Sequence, residues 1–221
     1  MKTMKKVSIL GCGWVGKILY QNLISNYNVN CLSKDIEENS KLNFYDVDFL
    51  IISIPPKNNY LEVIEKTFDM LNKDTYVILL SSISFYKNKP LVVDGENLIK
   101  KKSDKYVILR LGGLMGYDRV SGKYTEGKTL TVNSVTNYIH RDDVISIIEN
   151  ILKKEIYNEI FDVVSPIQST QKEIFSKNSK KFGFGETNFI DTTPVGKSLS
   201  PSKLIEKLAY TFKKESVLDF W

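Results

Sequence analysis

The fold is decided by Val7-Ser8-Ile9-Leu10-Gly11-Cys12-Gly13-Trp14-Val15-Gly16-Lys17, near the start of the chain. An apolar run over residues 7–10 stops at a Gly-x-Gly-x-x-Gly motif, and apolar residues then recur at helical spacing from Val15 to Leu23. A short apolar run of this kind is typical of a strand buried on both faces of a parallel sheet. The stretch therefore predicts a strand, a tight turn and a helix, which together form a dinucleotide-binding unit.

The three glycines of this motif have separate mechanical roles. Gly11 permits the tight turn from strand to helix, Gly13 lets the backbone approach a pyrophosphate, and Gly16 lets the helix pack closely on the strand. The phosphates would lie at the helix N-terminus, where free N–H groups and the positive end of the helix dipole favour negative charge. We therefore expect the glycines, Trp14 and Val15 to contact the cofactor.

The composition narrows the class of protein. With 221 residues the chain is long enough for one α/β domain with an appended lobe. Its net charge of +5 comes mainly from lysines scattered in pairs. That pattern is typical of solvated helix ends, so nucleic acid is not expected as a partner. No stretch of about 18 apolar residues is present, which predicts no membrane span.

The two cysteines, Cys12 and Cys31, form no disulfide framework of the kind that staples small secreted proteins. A reducing cytoplasm is therefore the expected location. The sequence has one histidine, His140, and no cluster of cysteines, so no metal site is expected.

Strand and helix patterns alternate along the first part of the chain. Apolar runs predict further strands at residues 28–32, 47–54, 76–80 and 106–111, and helical spacing predicts helices over 61–71, about 95–101 and after Asp142-Asp143. This order, with right-handed crossovers, predicts a doubly wound parallel sheet of Rossmann type that binds its ligand at the carboxyl ends of the strands. The expected cofactor contacts at those ends are Ser33, Lys34, Ser53, Ile54, Pro55 and Ser81.

Beyond about residue 155 the pattern changes. Short strands are predicted at 159–164 and 188–191, with helices over 170–182 and 202–209 and Ser169 as a possible cap. This segment is too small to fold alone. We expect residues 1–155 to form an NAD(P)-binding Rossmann domain and residues 156–221 to form a small α+β substrate lobe packed on it.

Five motifs, in order along nearly the whole chain, resemble the extended short-chain dehydrogenase/reductase superfamily, in particular its atypical nucleoside-diphosphate-sugar epimerase-like branch. The glycine motif is the first. The others are Leu80–Tyr86, Leu109–Tyr117, Tyr138–Val144 with its Ile-His-x-Asp-Asp step into a helix, and the tail segments Ile160–Val164 and Gly196–Leu204.

The resemblance implies a catalytic site at the end of one strand. In that family a Ser or Thr holds the substrate carbonyl, and a Tyr activated by a Lys four residues on transfers the proton. Ser82 matches the serine, but no Tyr-x-x-x-Lys pair lies between Tyr86 and Tyr106. Tyr86 is the best remaining proton donor, and a tyrosine packed in a cleft wall is the alternative. Two Tyr-x-x-x-Lys strings elsewhere are interpreted as coincidences: Tyr124/Lys128 and Tyr210/Lys214.

The substrate side is less defined. Tyr117 and Arg119, on a loop after a strand, could contact an anionic group of the substrate, with surface solvation as the alternative. His140 is interpreted as a helix cap or a contact to substrate, with a catalytic role as the alternative. Arg110 follows an apolar run and is expected to be a structural ion-pair or hydrogen-bond partner.

Two functions are consistent with these features. The first is an NAD(P)-dependent oxidoreductase or epimerase that lacks the Tyr-x-x-x-Lys pair and acts on a small polar or nucleotide-linked molecule, as a monomer or homodimer. The alternative is a non-catalytic NAD(P)-binding sensor. NADP is the expected cofactor rather than NAD, because Ser33 and Lys34 suit a 2′-phosphate, although Asp35 favours NAD. A dehydrogenase with an all-helical second domain is disfavoured, because the tail has strand patterns.

Overall fold

The computed structural model describes residues 4–33 and 43–221. Within these ranges the chain forms ten β-strands and six α-helices. The strands are β1 Lys6–Leu10, β2 Asn28–Leu32, β3 Phe49–Ile52, β4 Tyr76–Ser82, β5 Tyr106–Leu111, β6 Gly113–Met115, β7 Thr129–Ser134, β8 Tyr138–His140, β9 Glu159–Val163 and β10 Asn188–Val195. The helices are α1 Gly16–Leu23, α2 Tyr60–Met70, α3 Pro90–Lys102, α4 Arg141–Lys154, α5 Gln171–Phe182 and α6 Ser202–Leu208.

Six strands form the central parallel sheet, in the order β2-β1-β3-β4-β5-β9. β1 lies between β2 and β3. The chain therefore adds β2 on one side of β1 and then crosses back to add β3, β4, β5 and β9 on the other side. This is the doubly wound order that places ligands at the carboxyl ends of the strands. The predicted α/β fold with a parallel sheet is therefore confirmed.

The central strands are buried because helices cover the sheet. All four residues of β3 are buried, as is every residue of β1 after Lys6. Side chains of Leu50, Ile52, Ile64 and Ile99 belong to one core cluster, which joins the sheet to α2 and α3. Burial of such side chains stabilises the fold by about 1.5–3 kcal/mol each, before the loss of chain entropy is counted. In the described part of the chain no helix has the length and hydropathy that a membrane span requires.

The chain divides into two compact units. The first contains the described residues up to Arg110 together with Ile148–Phe161, and the second contains Leu111–Ile147 and Asp162–Trp221. The second unit holds two small parallel pairs, β10 with β7 and β6 with β8. Its helix α5 packs Ile174 and Phe175 against residues near the end of the chain, in a cluster of its own.

Several boundaries differ from the sequence expectations. The strand expected over 47–54 is limited to β3, and the helix expected over 95–101 begins earlier, with Pro90 in its first turn, where proline needs no N–H partner. Ser169 is not the cap of α5, because the hydroxyl oxygen of Thr170 accepts from the N–H of Glu173. The sequence patterns also missed β6, β7 and β8.

Candidate functional site

The glycine loop joins β1 to α1 at the carboxyl edge of the sheet. Gly11 has φ +110°, and a Cβ there would lie 2.6 Å from the carbonyl oxygen of Ser53. A Cβ at Gly16 would collide with the carbonyl oxygen of Gly11. Gly13 differs, because no atom of the described residues lies within 4 Å of a Cβ built on it. Two glycines therefore allow close backbone packing, and the third borders open space.

The N-terminus of α1 suits an anion. Val15 is the N-cap residue, and its side chain makes no capping hydrogen bond. The first turn of α1 carries no acidic residue, so the helix itself places no carboxylate against a phosphate. Val15 itself is buried, and Trp14 beside it is partly buried. The loop and helix thus fit the pyrophosphate of a dinucleotide through backbone N–H groups and the helix dipole.

The ends of β2 and β3 lie directly beside this loop. The N–H groups of Gly11 and Cys12 both donate to the carbonyl oxygen of Leu32, at 2.9 and 3.2 Å. On the other side the N–H of Ser53 donates to the carbonyl oxygen of Leu10 at 2.7 Å. These hydrogen bonds hold the ends of β1, β2 and β3 together at the carboxyl edge of the sheet.

Of the other expected cofactor contacts, Ser33 is exposed just after β2, Ile54 is partly buried and Pro55 is exposed. Lys34 and Asp35, on which the expected NADP preference depends, lie outside the described residues.

A disulfide joins Cys12 in the glycine loop to Cys31 in β2, with 5.5 Å between the Cα atoms. The expectation of two reduced cysteines is wrong for this structure. The reason is the sheet topology, because β2 is the direct neighbour of β1 and Cys31 pairs in register with Ile9. A separation of 19 residues in sequence gives no sign of this proximity.

Glu96 is the centre of a buried polar network in the first unit. Its carboxylate, on α3, is fully buried and accepts from the hydroxyl of Ser81 at 2.7 Å. Arg110, on β5, donates to the same carboxylate from Nε and Nη2, at 3.0 and 2.8 Å. Burial lowers the pKa of the Arg110 guanidinium, but its hydrogen bonds to Glu96 and Tyr86 outweigh this and raise the pKa above its ordinary value. The expected partner role of Arg110 is confirmed.

Arg110 also holds Tyr86. Its Nη1 donates to the Tyr86 hydroxyl oxygen at 3.1 Å, and its Cζ lies 3.5 Å from the centre of the Phe85 ring. Tyr86 lies in a 3₁₀ helix, Ile83–Lys87, and its side chain is 49% exposed. The hydroxyl is therefore held by a partly buried cation while about half of the tyrosine surface stays exposed.

Ser82 caps that same 3₁₀ helix. Its hydroxyl oxygen accepts from the N–H of Ser84 at 3.1 Å, and the hydroxyl donates to the Ser84 hydroxyl oxygen at 3.0 Å. The cap fixes where β4 ends and where the segment with Tyr86 begins. Ser81 and Ser82 thus end β4, and Tyr86 follows them within the same unit.

His140 lies in the second unit, at the end of β8. Its side chain is buried against Phe220 and Tyr117, with ring centres 5.3 and 5.4 Å away. Its Nδ1 accepts from the N–H of Asp142 at 3.3 Å, which is the cap-like contact named among the alternatives. Burial lowers its pKa, although the carboxylates of Asp142 and Asp143 act in the opposite direction.

Tyr117 and Arg119 follow β6 in the second unit. Tyr117 has φ +57°, is 54% exposed and donates its hydroxyl to Asp142 Oδ2 at 2.7 Å. This hydrogen bond raises the pKa of Tyr117, with burial as the second cause. Arg119 lines a mainly apolar cavity of about 300 Å³ with Met115, Tyr138 and other residues of the same unit. The cavity has room for a small group, and Arg119 gives it one positive charge.

Asp143 is a second buried polar centre, and the role of neither Asp143 nor Glu96 was identified from the sequence. The Asp143 carboxylate is fully buried and accepts from the Tyr210 hydroxyl at 2.9 Å and from the N–H groups of Lys213 and Lys214 at 2.7 and 3.1 Å. Burial raises its pKa, and these hydrogen bonds oppose the rise. The hydroxyl of Tyr210, one of the two residues in the Tyr210/Lys214 string, is thus bound to a buried carboxylate of the second unit.

The fold is shared with solved epimerases over nearly the full chain. A Methylobacillus flagellatus protein assigned as an NAD-dependent epimerase/dehydratase aligns with 99% of this chain and 96% of its own, with TM-score 0.80 and 16% identity. The chain has the fold of the extended short-chain dehydrogenase/reductase proteins. The resemblance drawn from the five sequence motifs is therefore confirmed at the level of the fold.

Two further structures and one relative are similar. UDP-glucuronic acid 4-epimerase of Bacillus cereus, solved with a UDP-sugar analogue and NAD, covers 97% of this chain and 98% of its own, with TM-score 0.70 and 18% identity. Human epimerase family protein SDR39U1, solved with NADPH, covers 96% of both chains with TM-score 0.70 and 13% identity. Protein YeeZ of Escherichia coli K12 is 22% identical over 95% of this chain and 96% of its own. No family model matches the chain.

Proposed function

We propose that this protein binds a nicotinamide dinucleotide at the glycine loop and acts as an oxidoreductase or epimerase on a small polar or nucleotide-linked substrate. The observation that carries the proposal is that one unit holds both the open space above Gly13 and the chain of contacts from Ser81 through Glu96 and Arg110 to Tyr86. The likeness to epimerases that were solved with NAD and NADPH supports the choice of cofactor.

The glycine loop and the segment after β3 would each contact the cofactor. Backbone N–H groups at the start of α1 would bind the pyrophosphate, and the segment after β3 from Ser53 would border the cofactor beside Gly11. A bound nicotinamide supplies the site that accepts or donates hydride. The protein's own part is to position the substrate and to move a proton.

Ser82 and Tyr86 would carry out that part. The Ser82 hydroxyl donates to Ser84 in this structure, and a substrate oxygen would take the place of Ser84 as the acceptor. Tyr86 would exchange a proton with the same substrate oxygen, and the positive charge of Arg110 would stabilise the phenolate that forms. Arg110 would thereby provide the charge that a lysine supplies in the Tyr-x-x-x-Lys pair.

Tyr117, Arg119 and His140, all in the second unit, remain the candidates for contacts to a substrate. The positive charge of Arg119 beside an apolar cavity suits a substrate with an anionic group, such as the diphosphate of a nucleotide sugar. His140 would have a positioning role, because its Nδ1 already accepts a hydrogen bond from the backbone N–H of Asp142.

The test has two stages. Calorimetric titration with NADPH and NADH measures binding first. Nucleotide sugars and small carbonyl compounds are then screened in two ways, by the absorbance of NADPH for net oxidation or reduction and by chromatography of the sugar for epimerisation. Turnover supports the proposed enzyme. Tight cofactor binding with no turnover favours the alternative, a non-catalytic sensor, which the lack of a Tyr-x-x-x-Lys pair before Tyr106 also favours. Absence of binding contradicts both.

The proposed preference for NADP has its own experiment. Lys34→Asp should weaken NADPH binding more than NADH binding, because it replaces a cation with an anion where the 2′-phosphate is expected. The control is Lys172→Asp, an equal change of charge on the exposed surface of α5. An equal loss for both cofactors, or a wild-type preference for NADH, contradicts the preference for NADP.

A further inference from the structure

We propose that Cys12 and Cys31 form a thiol–disulfide site that controls how tightly the glycine loop binds a dinucleotide, with the disulfide form binding more tightly. The inference rests on the proposed function, because it assumes that this loop is the cofactor site. It adds a modification site and a dependence on redox conditions that the proposed function does not require.

The position of the disulfide is the first argument. Cys12 stands between Gly11, which packs on the end of β3, and Gly13, which borders open space. Cys31 is the fourth of the five residues of β2, and exposed Ser33 follows that strand. The bond therefore links the backbone expected to hold the pyrophosphate to the strand end expected to hold the adenosine ribose.

The weakness of the other restraints is the second argument. Among the described residues, two backbone hydrogen bonds connect the loop to β2, from Gly11 and Cys12 to the same oxygen of Leu32, and Cys31 Sγ lies 3.8 Å from the carbonyl oxygen of Gly16. The side chain of Val15, the N-cap residue of α1, makes no capping hydrogen bond. Since glycine has more conformational freedom than any other residue, a loop with three glycines loses much entropy when it becomes ordered around a ligand.

The disulfide reduces that loss before the ligand arrives. A covalent link across 19 residues removes loop conformations in which Cys12 moves away from β2, including those that cannot bind a pyrophosphate. The linked loop already has the open space above Gly13. Oxidation should therefore raise cofactor affinity, and reduction should lower it.

The chemistry needs only a common type of oxidant. Both cysteines are partly exposed, so a low-molecular-weight disulfide can reach them. One cysteine thiolate attacks this disulfide, which breaks its S–S bond, forms a mixed disulfide and releases one thiolate. The second cysteine thiolate then attacks the mixed disulfide, forms the Cys12–Cys31 bond and releases the other thiolate. Two cysteine thiols are oxidised and one small disulfide is reduced to two thiols, with the protons taken up by the released thiolates.

The experiment compares two redox states of the full chain. One sample is oxidised with glutathione disulfide and the other is reduced with a phosphine, and non-reducing mass spectrometry verifies that they differ by two hydrogen atoms. Titration with NADPH should give an affinity about five- to tenfold higher for the oxidised sample. Cys31→Ser is the control, because it removes the bond from β2 and leaves the loop sequence intact. Mass spectrometry identifies the fraction of this variant whose Cys12 carries no glutathione, and that fraction should bind like the reduced wild type in both conditions.

Hydrogen exchange of the loop is a second readout that needs no cofactor. Amides of residues 11–16 should exchange faster in the reduced protein and in Cys31→Ser than in the oxidised protein. Equal NADPH affinity in both redox states, a redox response of Cys31→Ser, equal loop exchange, or failure of the two thiols to join each overturns the proposal. Absence of NADPH and NADH binding in both states contradicts the proposed function instead, and loop exchange then still decides whether the bond orders the loop.

Discussion

Arg110 Nη1 donates to the Tyr86 hydroxyl oxygen at 3.1 Å, while Nε and Nη2 of the same guanidinium hold the buried carboxylate of Glu96. One cation therefore connects the interior of the first unit to an exposed phenol. A group held in this way keeps its position when solvent or a ligand approaches.

Replacing Arg110 should destabilise the protein strongly. Arg110→Gln leaves the fully buried Glu96 without its cation, and breaking such a buried pair costs about 3–5 kcal/mol. The control is Lys66→Gln, which breaks a mostly exposed pair with Glu62 and should cost under about 1 kcal/mol. Urea unfolding of both variants measures the difference. A similar decrease in the free energy of unfolding for the two variants would show that the Arg110–Glu96 pair stabilises the fold no more than an exposed pair does.

Removing the Tyr86 hydroxyl should affect chemistry and not cofactor binding. Once a substrate is found, Tyr86→Phe should lower kcat by about a hundredfold or more, because a proton donor is lost, with NADPH affinity nearly unchanged. Tyr157→Phe, a change at another exposed tyrosine of the same unit, serves as the control and should retain full kcat. If Tyr86→Phe also retains full kcat, the proton travels by another route.

Two glycines of the loop should respond differently to substitution. Gly13→Asp should abolish NADPH binding and leave folding intact, because its side chain enters open space and adds a negative charge where the pyrophosphate is expected. Gly16→Ala should unfold or strongly destabilise the protein, because its Cβ would collide with the Gly11 carbonyl. Calorimetric titration and a circular-dichroism melt separate the two effects. A folded Gly13→Asp variant that binds NADPH as tightly as the wild type would contradict the assignment of the glycine loop as the cofactor site.

His140 should make stability fall in mild acid. Its pKa is lowered in the folded protein, so below about pH 6.5 the unfolded chain binds more protons and the free energy of unfolding decreases as the pH falls. Asp142 and Asp143 oppose this effect, and Arg141 and Lys214 add to it. Because the chain has one histidine, His140→Asn should flatten the dependence of Tm on pH between about pH 7.5 and 5.5. If Tm depends on pH equally in the variant and the wild type, His140 is not the cause of the loss of stability in mild acid.

The part of the fold that could be predicted from sequence is the part built from buried parallel strands. Such strands are continuous apolar runs, as in β3 and β4, and they remain visible without any knowledge of their neighbours. The small strands of the second unit were missed for the opposite reason. β7 has one buried residue in six, and β8 has three residues in all, so neither shows a usable pattern.

The site divides in the same way. The glycine motif is local, and its geometry follows from neighbouring residues. From the sequence alone, Glu96 is interpreted as part of the polar face of a helix. Its burial depends on its partners Ser81 on β4 and Arg110 on β5, which are distant in sequence. The Cys12–Cys31 bond likewise requires knowing that β1 and β2 are neighbours. Contacts of this kind are properties of the topology, and no short motif encodes them.

The interleaving of the two units has a consequence for synthesis on the ribosome. The sheet ends with β9, Glu159–Val163, which lies beside β5, Tyr106–Leu111. The whole segment 112–158 must therefore be translated after β5 before that strand receives its last neighbour. Until then the nascent chain presents an apolar strand edge, the feature that promotes aggregation. Slow translation through this segment should increase the demand for chaperones, and this demand should fall once β9 has left the ribosome and pairs with β5.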